Sequence, residues 1–330
     1  MAAAASHLVA GGLVTFPTET VYGLGADACN AIGVARIYEV KGRPADHPLI
    51  VHISSMKRMG DWAEEIPEYA ITLARDFWPG PMTLVLKRSS LAKDFITGGQ
   101  NTVGVRVPDH VVALALLDAF ENIGGKGVAA PSANRFGQVS PTNAQAVAEE
   151  IGEYLDSTDQ IIDGGACVVG VESTIVDCTG DEPRILRPGA ITVAMIEAST
   201  GQIVVKAINT FIDAQEGAES TSASNLISSA DTGIRVSGSL ENHYAPAAKV
   251  LLCEIPMPGQ GFIAHVNMET PVGVIRLASP HNDEEFAQIL YSALRQADAQ
   301  GLKEVVVMQP IGIGIAIAIR DRLARAANGR

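Results

Sequence analysis

Phe16-Pro17-Thr18-Glu19-Thr20-Val21-Tyr22-Gly23-Leu24-Gly25 gathers hydroxyls, a carboxylate, a phenol and two glycines directly after a strand-like run, Leu13–Phe16. A loop leaving a strand end can bring backbone N–H groups and short polar side chains onto a small ligand. Taken alone, the same residues are equally well explained as an ordinary strand-to-helix turn. Gly23-Leu24-Gly25-Ala26-Asp27-Ala28 mimics the dinucleotide fingerprint GxGxxG/A. Its glycines stand several residues past the strand, and no strand-end acid follows about 20 residues later, so that reading is set aside.

Outward from this loop, short β-like runs alternate with helical stretches. Leu49–Ile53, Met82–Leu86, Val103–Val107, Val128–Ala130 and Ser173–Asp177 are apolar and rich in β-branched residues. Between them, Ala31–Val40, Ala70–Phe77, His110–Phe120 and Ala144–Leu155 have helical composition, with Thr142 expected as the N-cap of the last. The pattern predicts a mixed α/β domain without fixing its strand order. From Ala207 to Ile234 there is no Lys or Arg, and acids are scattered among Ser, Thr, Ala and Gly, as in a flexible linker. Lys249–Glu254, Val272–Arg276 and Glu304–Met308 then read as strands and Asn282–Gln300 as an amphipathic helix, giving a smaller second α/β domain.

The 330 residues hold 37 acidic and 24 basic side chains, a formal charge of −13, and are 47% apolar. With a mean hydropathy of +0.19 the chain is no disordered tail. No apolar run reaches the roughly 18–20 residues of a spanning helix; Ile311–Ile319 stops at Arg320. The first residues lack the basic region of a signal peptide, and the four cysteines show no CxxC pairing. These features describe a soluble, reduced, cytoplasmic protein without a membrane partner. The acidic balance opposes strong nucleic-acid binding.

Further candidates for chemistry sit at element ends. Lys41-Gly42-Arg43-Pro44 places two cations around a glycine, as an anion site does; cations placed to favour a helix C-terminus explain them too. His52 falls inside a strand, where a lone histidine is more often a satisfied core residue than a ligand. Arg106, among β-branched residues, must reach solvent or meet an anion. Ala130-Pro131-Ser132-Ala133-Asn134, Ser173-Thr174 and Arg187-Pro188-Gly189 each combine small polar and turn residues. Gly124-Gly125-Lys126-Gly127 fails as a phosphate loop, because no Ser or Thr follows the lysine. Histidine spacing gives no metal signature, no GxSxG turn occurs and no cysteine has a catalytic setting. Chemistry by positioning and positive charge remains, the style of nucleotidyl transfer.

As an ordered set, Thr18–Gly25, Lys41–Pro44 with Pro48–His52, Trp78–Thr83, Arg106–Pro108, Ser132–Asn134 and Arg187–Gly189 resemble the YrdC/Sua5 family of threonylcarbamoyl-AMP synthases. His243-Tyr244-Ala245-Pro246 and the second domain resemble the longer, Sua5 form. The resemblance implies a YrdC-like twisted mixed sheet around a large electropositive cavity over 1–200, a linker or lid over 201–247, and a Rossmann-like α/β domain over 248–330. It implies synthesis of L-threonylcarbamoyladenylate from L-threonine, bicarbonate and ATP with Mg²⁺, releasing pyrophosphate. Other proteins would use the product for t6A37 modification of tRNA, with at most weak RNA binding by this chain.

By the same resemblance Thr20, His52, Arg106, Ala130 and Ser173 line a threonine pocket. Arg43, His47, Thr102, Ser132, Ser140, Arg187 and Tyr244 would contact ATP, and Lys41, Arg43, Ser132 and Asn134 form the catalytic signature. Two departures stand out. Position 47 is His where the family often has Asn, and the run before His243, Val236–Asn242, lacks the family's proline and basic residues. The competing classes are an RNA-binding module and a nucleotide-binding regulator without turnover.

Overall fold

A computed structural model of the chain describes residues 1–208, 227–228, 233–238 and 243–329. Most of the expected linker, Ala207–Ile234, lies outside the described residues, as does most of Gly217–Gly238, whose glycine- and serine-rich composition reads as a hinge.

The chain opens with α1 (Ala2–Val9), β1 (Val14–Phe16) and β2 (Gly23–Asp27), then α2 (Ala31–Lys41) and β3 (Ile50–His52). There follow α3 (Met59–Trp62), α4 (Glu68–Phe77), β4 (Met82–Lys87), α5 (Asp94–Thr97), β5 (Thr102–Arg106), α6 (Val111–Asn122) and β6 (Val128–Ala129). Next come α7 (Ala144–Ile151), β7 (Gln160–Ile161), β8 (Thr174–Asp177), β9 (Arg184–Arg187), α8 (Val193–Thr200), β10 (Val205–Ile208) and β11 (Ile227–Ser228). All eleven strands form one mixed sheet in the order β11-β10-β9-β8-β4-β5-β3-β6-β2-β1-β7. β10 and β11 belong to a stretch read as linker, yet they extend this sheet by parallel pairing beyond β9. The second domain holds β12 (Lys249–Leu252), β13 (Gly261–Ile263), β14 (Ile275–Ala278), α9 (Asp283–Ala299), β15 (Glu304–Val307) and α10 (Ile315–Ala327). Its sheet is parallel throughout, ordered β12-β15-β13-β14, the Rossmann-like layout expected. Among the described residues no helix is long and apolar enough to cross a membrane.

Phe16–Gly25 forms the turn of a β-hairpin with the strand residues on either side of it, not a strand-to-helix turn. β1 and β2 pair antiparallel, Val14 opposite Gly25 and Phe16 opposite Gly23. The glycines hide β2 from a propensity reading, since glycine is depleted in strands and marks close backbone approach. A Cβ on Gly25 would stand 2.8 Å from both Phe16 Cε1 and Val128 Cγ1. Two further readings are corrected. The N-cap of α7 is Asn143, whose side chain accepts from Ala146 N, while Thr142 Oγ1 is turned to Ser292 of the second domain. The strand expected at Val272–Arg276 begins only at Ile275, after a turn held by Val274 N donating to Pro271 O.

The two domains share a core. Val21, Val139, Val171 and Tyr244 pack with Leu290, Tyr291, Leu294 and Leu323 of α9 and α10. Gly170 permits this approach: its φ is +80°, and a Cβ there would lie 2.4 Å from the Ala287 carbonyl oxygen. We predict that Gly170→Ala lowers the unfolding free energy by about 1–3 kcal/mol, read as a fall in Tm. Gly60→Ala, in α3 with no atom within 4 Å of the new methyl, should leave Tm unchanged or raise it. Equal Tm values for the two variants would contradict the packing of α9 on Gly170.

Candidate active site

Strand ends and loops of the first sheet, joined by the segment entering the second domain, surround an open cavity of about 540 Å³. The hairpin loop supplies one wall. Thr18 Oγ1 donates to Val21 O at 2.6 Å and accepts from Val21 N at 3.2 Å, so the loop is shaped by its own hydroxyl. Thr20 Oγ1 accepts from Arg106 Nη1 at 3.0 Å, and Arg106 pairs with Glu19 at 2.7 Å. Arg106 and His52 end neighbouring strands in register, His52 opposite Arg106. Opposite them, Ser173 Oγ lies 2.8 Å from Thr83 Oγ1, and Arg187 donates to Ser173 O and Oγ at 3.0 and 3.1 Å.

Thr20, His52, Arg106, Ala130 and Ser173, the residues expected around threonine, all line this cavity. Of the residues expected around ATP, Arg43, Ser132, Arg187 and Tyr244 do so as well. Ser237 joins two of these: its Oγ is 3.2 Å from Arg43 Nη2, and its carbonyl accepts from Arg187 Nη1 at 2.9 Å. Thr102 instead lines an adjoining pocket of about 300 Å³, which shares Ile50 and Ser237 with the first. Ser140 stands behind the wall, donating to Glu172 Oε1 at 2.7 Å. His47 lines neither pocket and packs edge-on against Phe136, ring centres 5.3 Å apart.

Lys41 and Asn134 do not line the cavity either. α2 ends at Gly42 with φ +59°, which turns the chain so that Lys41 points inward, 2% exposed. Lys41 Nζ donates to the carbonyls of Ser132 and Asn134, both at 2.6 Å. The ligand-facing cation expected at position 41 is therefore a brace under the Ser132–Asn134 loop. Burial, then the neighbouring Arg43, pushes its pKa well below the ordinary lysine value. Asn134 Nδ2 in turn donates to Arg135 O and Gln138 O.

The sequence reading gives no role to Glu172, Glu19, Ser237 or His243. Glu19 and His243 stand inside motifs it quotes, beside Thr20 and Tyr244, and Glu172 stands beside Ser173; Ser237 carries no local signal. Burial raises the Glu172 carboxyl pKa, but Arg322 and Arg187 outweigh it and bring it down to about 2. Burial brings Arg43 down to about 10. His52 and His243 are driven down to about 3, first by burial and then, for His52, by Arg106, so both are neutral.

Three guanidiniums and a ring of short hydroxyls at one end of a mixed sheet make an anion site of the class that handles phosphates and carboxylates. The chain belongs to the Sua5/YciO/YrdC family: the family profile described as "Telomere recombination" matches residues 6–189. A second profile, described as the threonylcarbamoyl-AMP synthase C-terminal domain, matches residues 191–328. The threonylcarbamoyl-AMP synthase of Pyrococcus abyssi is 40% identical over 99% of this chain and 94% of its own length. That of Bacillus subtilis is 37% identical over 100% of this chain and 93% of its own. The solved structure of P. abyssi Sua5 complexed with L-threonine superposes with a TM-score of 0.81 at 37% identity, covering 99% of this chain and 94% of that one.

The neutral histidines set a pH dependence. A histidine buried neutral binds fewer protons folded than unfolded, so its stabilisation is complete above pH 6.5 and is lost as pH falls toward 3. Between pH 6.5 and about 5, above the range where Glu172 titrates, each histidine should remove up to about 1.4 kcal/mol per pH unit. Denaturant melts across this window should show that slope, reduced by one histidine's share in His243→Asn. A flat profile would contradict neutral burial.

Proposed function

We infer that this chain is an L-threonylcarbamoyladenylate synthase, joining L-threonine, bicarbonate and ATP with release of pyrophosphate. The observation that carries the reading is the convergence of Thr20, His52, Arg106, Ala130 and Ser173 with Arg43, Ser132 and Arg187 on one cavity. Its relatives' names and the threonine-bound structure support the same activity.

In this reading Arg106, preorganised by Glu19 and Thr20, takes the threonine carboxylate. The uncharged His52 ring and the Ala130 methyl offer surface to the threonine side chain. The threonine amine adds to the bicarbonate carbon with loss of water, giving a carbamate. A carbamate oxygen then attacks the α-phosphorus of ATP; the new P–O bond forms as the bond to pyrophosphate breaks. Arg43 and Arg187 hold the phosphates, exchanging the oxygens of Ser237 for phosphate oxygens, and make the cavity electropositive. Ser132 contacts the phosphates from a loop held by Lys41. No protein nucleophile is needed, and orientation of the bound reactants supplies much of the rate. Mg²⁺ arrives with ATP as part of the substrate; among the described residues no group of three or more His, Cys, Asp and Glu is placed to hold a metal. We place the reaction in the cytoplasm, in a catalytic domain over 1–200 joined through 201–247 to the domain over 248–330. The product passes to the proteins that complete t6A37 in tRNA, and the −13 charge keeps this chain's own RNA binding weak.

ATP–pyrophosphate exchange tests the reading. Exchange should require threonine and bicarbonate together, and serine should lose roughly fivefold in kcat/KM, the loss of a methyl contact on the order of 1 kcal/mol. Exchange with ATP alone, or equal kcat/KM for serine and threonine, would refute the assigned pocket. The two cations of Lys41-Gly42-Arg43 should separate. Arg43→Ala should raise KM for ATP with little change in Tm. Lys41→Met should strand two carbonyls, losing about 1–3 kcal/mol of stability as well as activity. Unchanged Tm in Lys41→Met would show that the brace is not structural.

A further inference from the structure

The second domain reaches the cavity wall through Arg322 and Tyr291. Arg322, on α10, is 0% exposed. Its Nε donates to Glu172 Oε2 at 2.8 Å and its Nη2 to the Pro188 carbonyl at 3.0 Å. Its guanidinium carbon stands 5.3 Å from the centre of the Tyr244 ring. Each of these partners belongs to the cavity wall: Glu172 and Tyr244 line it, and Pro188 follows Arg187, which also lines it.

Glu172 is the one carboxylate among the described residues lining this cavity. Facing a site for a triphosphate, an uncompensated carboxylate would repel the substrate and be unfavourably buried. Arg322 compensates it, with Tyr291 Oη donating to Glu172 Oε2 at 2.9 Å and Ser140 Oγ to Oε1. Tyr244 depends on the same side chain. Its φ of +62° is strained for a bulky residue and persists only where packing holds it. The ring is seated against Arg322 and stacks on Tyr291 at 5.8 Å with an interplanar angle of 23°. Its hydroxyl is buried with no hydrogen-bond partner among the described residues.

We propose that Arg322 is a positioning residue for the synthase reaction: it neutralises Glu172 at the cavity wall and seats Tyr244 beside the bound substrates. The second domain thereby completes a site whose substrate contacts come from the first. This rests on the synthase reading above.

The test uses the full chain, with steady-state kinetics and with equilibrium titration of ATP, which needs no turnover. Arg322→Met should raise both KM and Kd for ATP about tenfold or more and lower kcat. Adding Glu172→Gln should return ATP affinity to within about threefold of wild type, with kcat still low because Tyr244 lacks its seat. Arg322→Lys, which keeps the charge but not the planar fork, should hold KM for ATP near wild type and lower kcat. Wild-type kinetics in both single variants would overturn the proposal. So would an Arg322→Met variant whose activity falls only with its folded fraction at unchanged KM. Should Arg322→Met fail to fold, Arg322→Lys decides: wild-type kcat and KM overturn the proposal, while a kcat loss at constant KM supports it. A wild-type chain without threonine- and bicarbonate-dependent exchange would refute the synthase reading itself. ATP titration would still report the coupling of Glu172 and Arg322.

Discussion

Cations held out of water around one cavity set the terms for this structure. Lys41, Arg43, Arg106 and Arg187 are all less than a tenth exposed, and an uncompensated buried charge is destabilising by several kcal/mol. Arg106 has a carboxylate, Glu19, in direct contact. The others lean on neutral oxygens: Lys41 on two loop carbonyls, Arg43 on Pro48 O and Ser237 Oγ, Arg187 on Ser173 and on the Ser237 carbonyl. Neutral acceptors stabilise a cation without cancelling its charge, which leaves attraction for an anionic substrate.

The sheet makes that arrangement possible. β3 and β5 run parallel and in register, so His52 and Arg106 finish side by side, while β8 and β9 bring Ser173 and Arg187 to the same end. The β1–β2 hairpin closes this end because its glycines let Phe16 and Val128 press against β2. The second domain then packs on the rim through Gly170 and places Arg322 against Glu172. Side chains far apart in sequence, such as Ser140 and Arg322, meet on one carboxylate because two domains share a core there.

Much of this was legible beforehand. Strands dense in β-branched residues, such as β4 and β5, and the amphipathic α9 stood out because periodicity is a local property. β2 was not legible, since Gly23 and Gly25 carry no side chain to signal a strand. β13, three residues long, is too short to establish a period. At the site, Thr20, His52, Arg106 and Ser173 sit in motifs at element ends, where a sequence pattern marks them, and all four line the cavity. The side of its loop on which Lys41 stands is not legible, because a helix-end cation reads the same whether it faces a ligand or, as here, two carbonyls.

The sequence by itself determined the class of fold, most of its longer elements and which residue types could hold phosphates and a carboxylate, since these rest on local patterns and spacing. Tertiary structure alone decided which of those residues share a cavity, which stand behind it as braces, and that Glu172 answers to Arg322 across 150 residues of chain. Burial and pairing depend on contacts between distant segments, and no local pattern records which oxygen a buried cation will find.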